Sequence, residues 1–296
     1  MPLKGTITAL ITPFIDDKLD EEGLIKNIRY QISQGVSGIL PLGSTGEAPT
    51  LSPAEQEKII SIAVKEAKGK VPIWVGTGAY CTRQTIEKTK KAKDLGADIV
   101  LIVNPYYNKP TQEGLFRHFE AISNAVDIPI VIYNNPARCC INIEASTLIR
   151  LANLPNLKGL KESTDNLSHT TEYIHRLAQE GLDFAILSGD DVNTLPMMSL
   201  GARGVISVVS NLVPQGIVSL VKAASAGNYN EAREIHYGLL PLVKAAFLET
   251  NPIPIKAAMS LCGMAAGECR LPLYKMSPEN LHKLKQVLIT MNLIKS

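Results

Sequence analysis

Short apolar runs alternate with longer amphipathic stretches along the chain, and the alternation repeats eight times. The strand candidates are residues 6–14, 38–42, 72–76, 98–103, 128–133, 157–161, 184–188 and 204–209. Several are apolar on both faces, as parallel strands covered by helices are. Of the stretches of helical length between them, SPAEQEKIISIAVKEAKG (52–69) is the clearest. Ser52 suits the N-cap, Pro53 the first turn, Glu55 completes a capping box and Gly69 can stop the helix. Strands and helices in alternation build a parallel α/β sheet. Eight rounds in about 220 residues predict a closed (β/α)8 TIM barrel. An open doubly wound sheet fits less well. No G-x-G-x-x-G follows the first strand, and GTGAYC (76–81) fails at the third glycine. The remainder reads as all-helical, so the expected division is a barrel over 1–225 and a C-terminal helical extension packed on it over 226–296, with no linker between.

Composition narrows the function classes. The 296 residues are 45% hydrophobic and 20% charged, which is ordinary for a globular chain. A net charge of +2 without a basic run argues against nucleic acid as a partner. No apolar stretch reaches the roughly 18 residues of a membrane span. MPLKGTITALITPF at the start lacks the features of a signal peptide, so a cytoplasmic protein is expected. Five cysteines, odd in number and without a C-x-x-C pair, suggest neither a disulfide framework nor a zinc site. His118, His169, His175, His236 and His282 show no H-E-x-x-H spacing, and no metal is expected.

Catalysis in such barrels sits at the C-terminal ends of the strands. The segments found there include GSTGEA (43–48), NPYYNKP (104–110), YNNPAR (133–138), KES (161–163) and SGDD (188–191). Turn chemistry accounts for the Gly, Asn and Pro, but not for Lys161, Tyr133 and Arg138. Side chains alternate along a strand, so Lys161 is expected to share a face with Gly159 and Leu157, and Leu160 with Glu162. If Leu160 packs under the helices, Lys161 points into the barrel mouth. Burial disfavours an ammonium, and a neutral amine attacks a carbonyl carbon to form a Schiff base. Tyr133 offers a phenol to shuttle protons, and Arg138 a planar fork for a carboxylate. GSTGE presents backbone N–H groups and the hydroxyls of Ser44 and Thr45 as an anion cradle. GDD after the seventh strand would repel phosphate, so a carboxylate is the expected anion. Each residue alone has a plainer reading: a lysine snorkelling at a strand end, a core tyrosine, a surface arginine. Their gathering on one rim weighs against it.

GSTGE, NPYYN, YNNPAR, GLKES, SGDD and GVISV, followed by NPIPIKAAM (251–259), resemble the dihydrodipicolinate synthase family of class I, lysine-dependent pyruvate aldolases, nearly end to end. The resemblance implies a lyase of diaminopimelate and lysine biosynthesis. Such an enzyme condenses pyruvate with L-aspartate 4-semialdehyde through a Schiff base, with no metal or other cofactor. Lys161 would carry the Schiff base. Tyr133 would be the general acid/base, in a relay with Ser44 and with Tyr107 from a neighbouring subunit. Thr45 would hold the pyruvate carboxylate, Ile206 would close the pyruvate pocket through its backbone, and Arg138 would hold the carboxylate of the semialdehyde. A borrowed Tyr107 implies at least a dimer, and the family's usual assembly implies a homotetramer, a dimer of dimers.

Some positions depart from the family pattern. Ser44 stands where threonine is common. Cys139-Cys140 replaces a usual Thr-Gly pair, which removes easy access to positive φ beside Arg138. Pro53, Gln56, Tyr80 and Gln84 replace His, His, Asn and Glu in the groove where regulated members bind lysine, so weak or absent feedback is expected. N-acetylneuraminate lyase and the 2-keto-3-deoxy sugar acid aldolases share the lysine, the tyrosine and GSTGE. Arg138 discriminates, because the sialic acid enzymes usually carry an apolar residue there. A non-catalytic barrel would lack the lysine or tyrosine, and a metal-dependent aldolase needs clustered ligands that the rim does not offer.

Overall fold

A computed structural model describes residues 3–295. Its ten strands are β1 (Gly5–Ala9), β2 (Phe14–Ile15), β3 (Lys18–Leu19), β4 (Gly38–Leu40), β5 (Trp74–Gly76), β6 (Ile99–Val103), β7 (Ile130–Asn134), β8 (Leu157–Glu162), β9 (Ala185–Ser188) and β10 (Gly204–Ser207). Eight of them run parallel in the order β4-β1-β10-β9-β8-β7-β6-β5, and a bridge from Ile39 to Ile73 closes the last seam. The expected barrel is therefore the observed one.

Helices α1 (Glu21–Ser33), α2 (Pro53–Ala67), α3 (Thr82–Asp94) and α4 (Gln112–Ala125) cover the first strands. The short α5 (Pro136–Cys139) and α6 (Ala145–Ala152) follow β7, and α7 (Leu167–Gln179), α8 (Thr194–Leu200) and α9 (Pro214–Ser225) complete the ring. Then come α10 (Tyr229–Ala245), α11 (Ile253–Leu261) and α12 (Pro278–Thr290), with α10 packed along α9. Ser52 accepts from Glu55 N while the Glu55 side chain accepts from Ser52 N, so α2 begins with the capping box expected of it. Among the described residues no helix is long and apolar enough to cross a membrane.

Two apolar layers follow from the alternation of side chains across the strands. Ile7, Leu40, Trp74, Leu101, Val131, Leu187 and Ile206 fill the barrel interior. Ile39, Val100, Ile132, Leu160 and Ile186 face outward and pack under the helices, in one cluster with Leu242, Ile255 and Leu284 of the last helices. In β8 the strict alternation breaks. Ile130 pairs with Leu157 but Val131 pairs with Gly159, so one extra residue, the exposed Lys158, is absorbed as a bulge. Leu157 consequently packs in the outer layer with Leu160 rather than sharing the inner face of Lys161. Only a register, which no single strand contains, could have revealed this.

Several strands end earlier than their apolar runs. The first stops at Ala9 and not at residue 14, since Asn211 Oδ1, not a neighbouring strand, accepts from Ile11 N at 3.1 Å and Pro13 has no N–H for a ladder. Phe14 instead opens the β2–β3 hairpin, whose turn residues Asp16 and Asp17 both take positive φ, 47° and 62°. The last barrel strand ends at Ser207 because Asp191 Oδ2, not a neighbouring strand, accepts from Val208 N at 2.8 Å and Val209 N at 3.2 Å.

Candidate active site

At the C-terminal mouth of the barrel lies a cavity of about 800 Å³, and Ser44, Thr45, Tyr133, Arg138 and Lys161 all line it. Five of the seven residues singled out in the sequence thus meet in one place. Lys161 is 4% exposed, and its Nζ stands 4.1 Å from the centre of the Tyr133 ring. The two residues are direct register partners on β7 and β8, which brings amine and phenol side by side. Gly189, after β9, leaves room for Ser163 and for the lysine stem: a Cβ there would run into Ser163 Oγ and lie 3.0 Å from Lys161 Cε.

Tyr133 is buried, and burial pushes its phenol up. The Lys161 ammonium and the Asn135 amide outweigh this, so the phenol sits below its ordinary value. Asn135 Nδ2 donates to the Tyr133 hydroxyl at 2.7 Å, while Asn135 Oδ1 accepts from Arg138 N at 3.2 Å. One asparagine therefore caps α5 and orients the phenol. The cap was legible in NPAR, an Asn before a first-turn proline; its grip on Tyr133 was not. Ser44 lines the same cavity, but the hydroxyl of Tyr133 is held by Asn135.

Arg138 projects from α5, and its Nη2 donates to the carbonyl of Asn251 at 3.1 Å. The helix ends at Cys140, whose N donates to Pro136 O at 2.8 Å and whose φ is 56°. A left-handed residue is required there, and cysteine adopts it where glycine would do so at less cost. Buried Cys139 donates from Sγ to Asn104 O at 3.3 Å, and burial pushes its thiol up to about 11. These contacts keep α5 formed despite the missing glycine.

Two expected site residues lie elsewhere. Ile206 packs in the barrel interior beneath the cavity, and Val208 lines the wall two residues on. Tyr107 is 93% exposed at φ 69° and does not line the cavity of its own chain. Its neighbour Tyr106 packs edge-on against Tyr80, with ring centres 5.7 Å apart, and lines a smaller cavity of about 230 Å³ shared with Ser44 and Tyr133.

Acidic groups complete the surroundings. Asp190 lines the cavity, and burial first, then Asp191 and Asp165, raise its carboxyl to about 6. Asp191 is buried behind it and ties down the end of β10. On the outer face, next to Lys161 in sequence, Glu162 Oε2 accepts from Asn134 Nδ2 at 3.0 Å and Oε1 from Thr164 N at 2.7 Å. Burial nonetheless raises its carboxyl to about 7. Among the described residues no group of three His, Cys, Asp or Glu side chains could hold a metal ion. The arrangement offers a shielded amine, a phenol of lowered pKa beside it, and a hydroxyl loop and a guanidinium that suit carboxylates.

The chain matches the dihydrodipicolinate synthetase family over residues 2–291. It is 53% identical over 289 residues to the 4-hydroxy-tetrahydrodipicolinate synthase of Protochlamydia amoebophila, covering 97% of this chain and 96% of that protein. The crystal structure of dihydrodipicolinate synthase from Aquifex aeolicus superposes with a TM-score of 0.96 at 48% identity, over 99% of this chain and 100% of that one. A monomeric dihydrodipicolinate synthase variant superposes equally well, with a TM-score of 0.96 at 41% identity over 98% and 97% of the two chains. With the barrel, the rim motifs and near full-length identity all in agreement, the chain belongs to the dihydrodipicolinate synthetase family.

Proposed function

We propose that this enzyme condenses pyruvate with L-aspartate 4-semialdehyde, using Lys161 as the Schiff-base residue. The observation that carries the reading is the nearly buried Lys161 amine against the Tyr133 ring, in one cavity with Thr45 and Arg138. The amine adds to the ketone of pyruvate, and the carbinolamine loses water to give the imine. Loss of a methyl proton then gives the enamine, whose carbon attacks the aldehyde of the second substrate and forms the new C–C bond. The α-amine of that substrate then displaces Lys161 from the regenerated imine, which closes the ring and frees the lysine. Tyr133 accepts and returns the protons of these steps, and its lowered pKa suits it to the accepting role. Thr45 and the loop around it hold the pyruvate carboxylate, and the Arg138 fork holds the carboxylate of the semialdehyde. The protonated imine formed on Lys161 is the electron sink for loss of the methyl proton, so the scheme needs no metal or other cofactor.

Ile206 closes the pyruvate pocket through its backbone, and Ser44 joins the proton relay. Tyr107 serves a neighbouring copy, a role supported by its exposure outside its own cavity. In this reading the chain is a cytoplasmic homotetramer, a dimer of dimers, each copy a catalytic barrel over 1–225 with its extension over 226–296.

The test is pyruvate consumption by the purified protein with the semialdehyde, beside a run with N-acetylmannosamine. Both are repeated on Lys161→Ala. Consumption with the semialdehyde alone, lost in the variant, is expected. Consumption with the sugar instead would assign the chain to the sialic acid lyases and overturn the role of Arg138.

A further inference from the structure

Asn251 sits between α10 and α11 and lines the cavity from the far end of the chain. Its Nδ2 donates to Thr45 Oγ1 at 2.9 Å, and its main-chain carbonyl accepts from Arg138 Nη2 at 3.1 Å. The residue is buried, and among the described residues nothing else bonds the Thr45 hydroxyl. A hydroxyl oxygen that accepts from an amide keeps its own hydrogen to give away. With Asn251 in place, the Thr45 O–H is left to point at whatever occupies the cavity.

We propose that Asn251 is a positioning residue that serves both carboxylate subsites, each through a separate contact. Its side chain makes Thr45 a dedicated donor to the carboxylate of the first substrate. Its backbone carbonyl steadies the Arg138 fork for the carboxylate of the second. The helical extension thereby joins the active site, which a barrel of strands and ring helices would leave incomplete. This inference rests on the roles of Thr45 and Arg138 proposed above.

Side chain and backbone act on different substrates, so steady-state kinetics can separate them. Asn251→Ala removes the amide and keeps the carbonyl. It should raise KM for pyruvate about three- to tenfold, part of the worth of one hydrogen bond to a charged group because the Thr45 hydroxyl stays but is no longer held toward the cavity, with KM for the semialdehyde and kcat nearly unchanged. Asn251→Asp keeps the shape but can only accept, which turns the Thr45 hydroxyl back on residue 251. Its pyruvate KM should rise at least as far, even if Asn251→Ala fails to fold. In a Thr45→Val background, Asn251→Ala should add nothing, since the Asn251 amide acts on pyruvate only through the Thr45 hydroxyl. A pyruvate KM for Asn251→Ala and Asn251→Asp within about twofold of wild type, an equal rise in both KM values, or multiplying effects in the double variant would overturn the inference while leaving Thr45 in its role. A Thr45→Val enzyme with unchanged pyruvate KM would instead overturn the role of Thr45 itself, and the inference with it.

Discussion

Lys256→Met should destabilise the protein far more than the loss of one lysine usually does. Lys256 is 1% exposed, and its ammonium donates to Glu47 Oε1 at 2.7 Å, Glu268 O at 2.9 Å and Thr12 O at 3.0 Å. All three of its donors are spent, and the Phe14 ring lies 4.4 Å away. Glu47, the last residue of GSTGE, is also buried, and its other oxygen accepts from Arg270 N at 2.9 Å. Methionine fills most of the volume of the lysine stem, so the cavity term is small and the electrostatic one decides. Removing one partner of a buried pair strands the other charge, at about 3–5 kcal/mol. With an unfolding entropy of about 2.1 cal/mol/K per residue over 296 residues, that corresponds to a fall in Tm of about 5–8 °C. Scanning calorimetry on wild type, Lys256→Met and the double variant Glu47→Gln/Lys256→Met measures it. Because the double variant has no charge left to strand, it should regain at least half of the loss. A single variant melting within about 2 °C of wild type would refute the reasoning, as would a double variant less stable than the single one.

Three further outcomes follow from the same geometry. The Glu162 carboxyl is raised from 4.5 to about 7, chiefly by burial, so the folded state binds a proton more tightly than the unfolded state and stability falls as pH rises through that window. Relative to Glu162→Gln, which stays neutral, the wild type should lose on the order of 3 kcal/mol between pH 4.5 and above pH 7; urea unfolding of both proteins at either end checks this, and a pH-independent difference would contradict it. Cys140→Gly relieves a left-handed cysteine at φ 56° and should stabilise by about 0.5–1 kcal/mol after the extra freedom glycine gains in the unfolded chain, with a lower Tm as the contrary result. Lysine should inhibit weakly or not at all, because Gln56, one of the groove residues, already donates its amide to Ala48 O and Leu51 O; strong inhibition by submillimolar lysine in the condensation assay would overturn that expectation.

The barrel was readable because its period is local. Eight apolar runs, a capping box at Ser52 and the absence of a dinucleotide fingerprint need no knowledge of neighbours, and the closed eight-stranded sheet agrees with them. Strand ends were read too long at residues 10–14 and 208–209, where side chains such as Asp191 replace the ladder as hydrogen-bond partners. Lys161, Tyr133 and Arg138 stood out because their chemistry was out of place at the ends of apolar strands. Leu157 was misassigned to the inner face because the bulge at Lys158 exists only in the pairing of β7 with β8.

By itself, then, the sequence determined the period, the layer each regular strand residue faces, and the kinds of group gathered at the rim. These depend on alternation, polarity and spacing within a few residues. Tertiary structure alone decided that Asn135 orients Tyr133, that Gly189 makes room for Ser163 and the lysine, and that Asn251 and Lys256 reach back some two hundred residues to Thr45 and Glu47. An asparagine, a glycine or a lysine carries no mark of its partner. Its role is set by which polar atoms must be satisfied where water is excluded, and that is fixed only when distant segments meet.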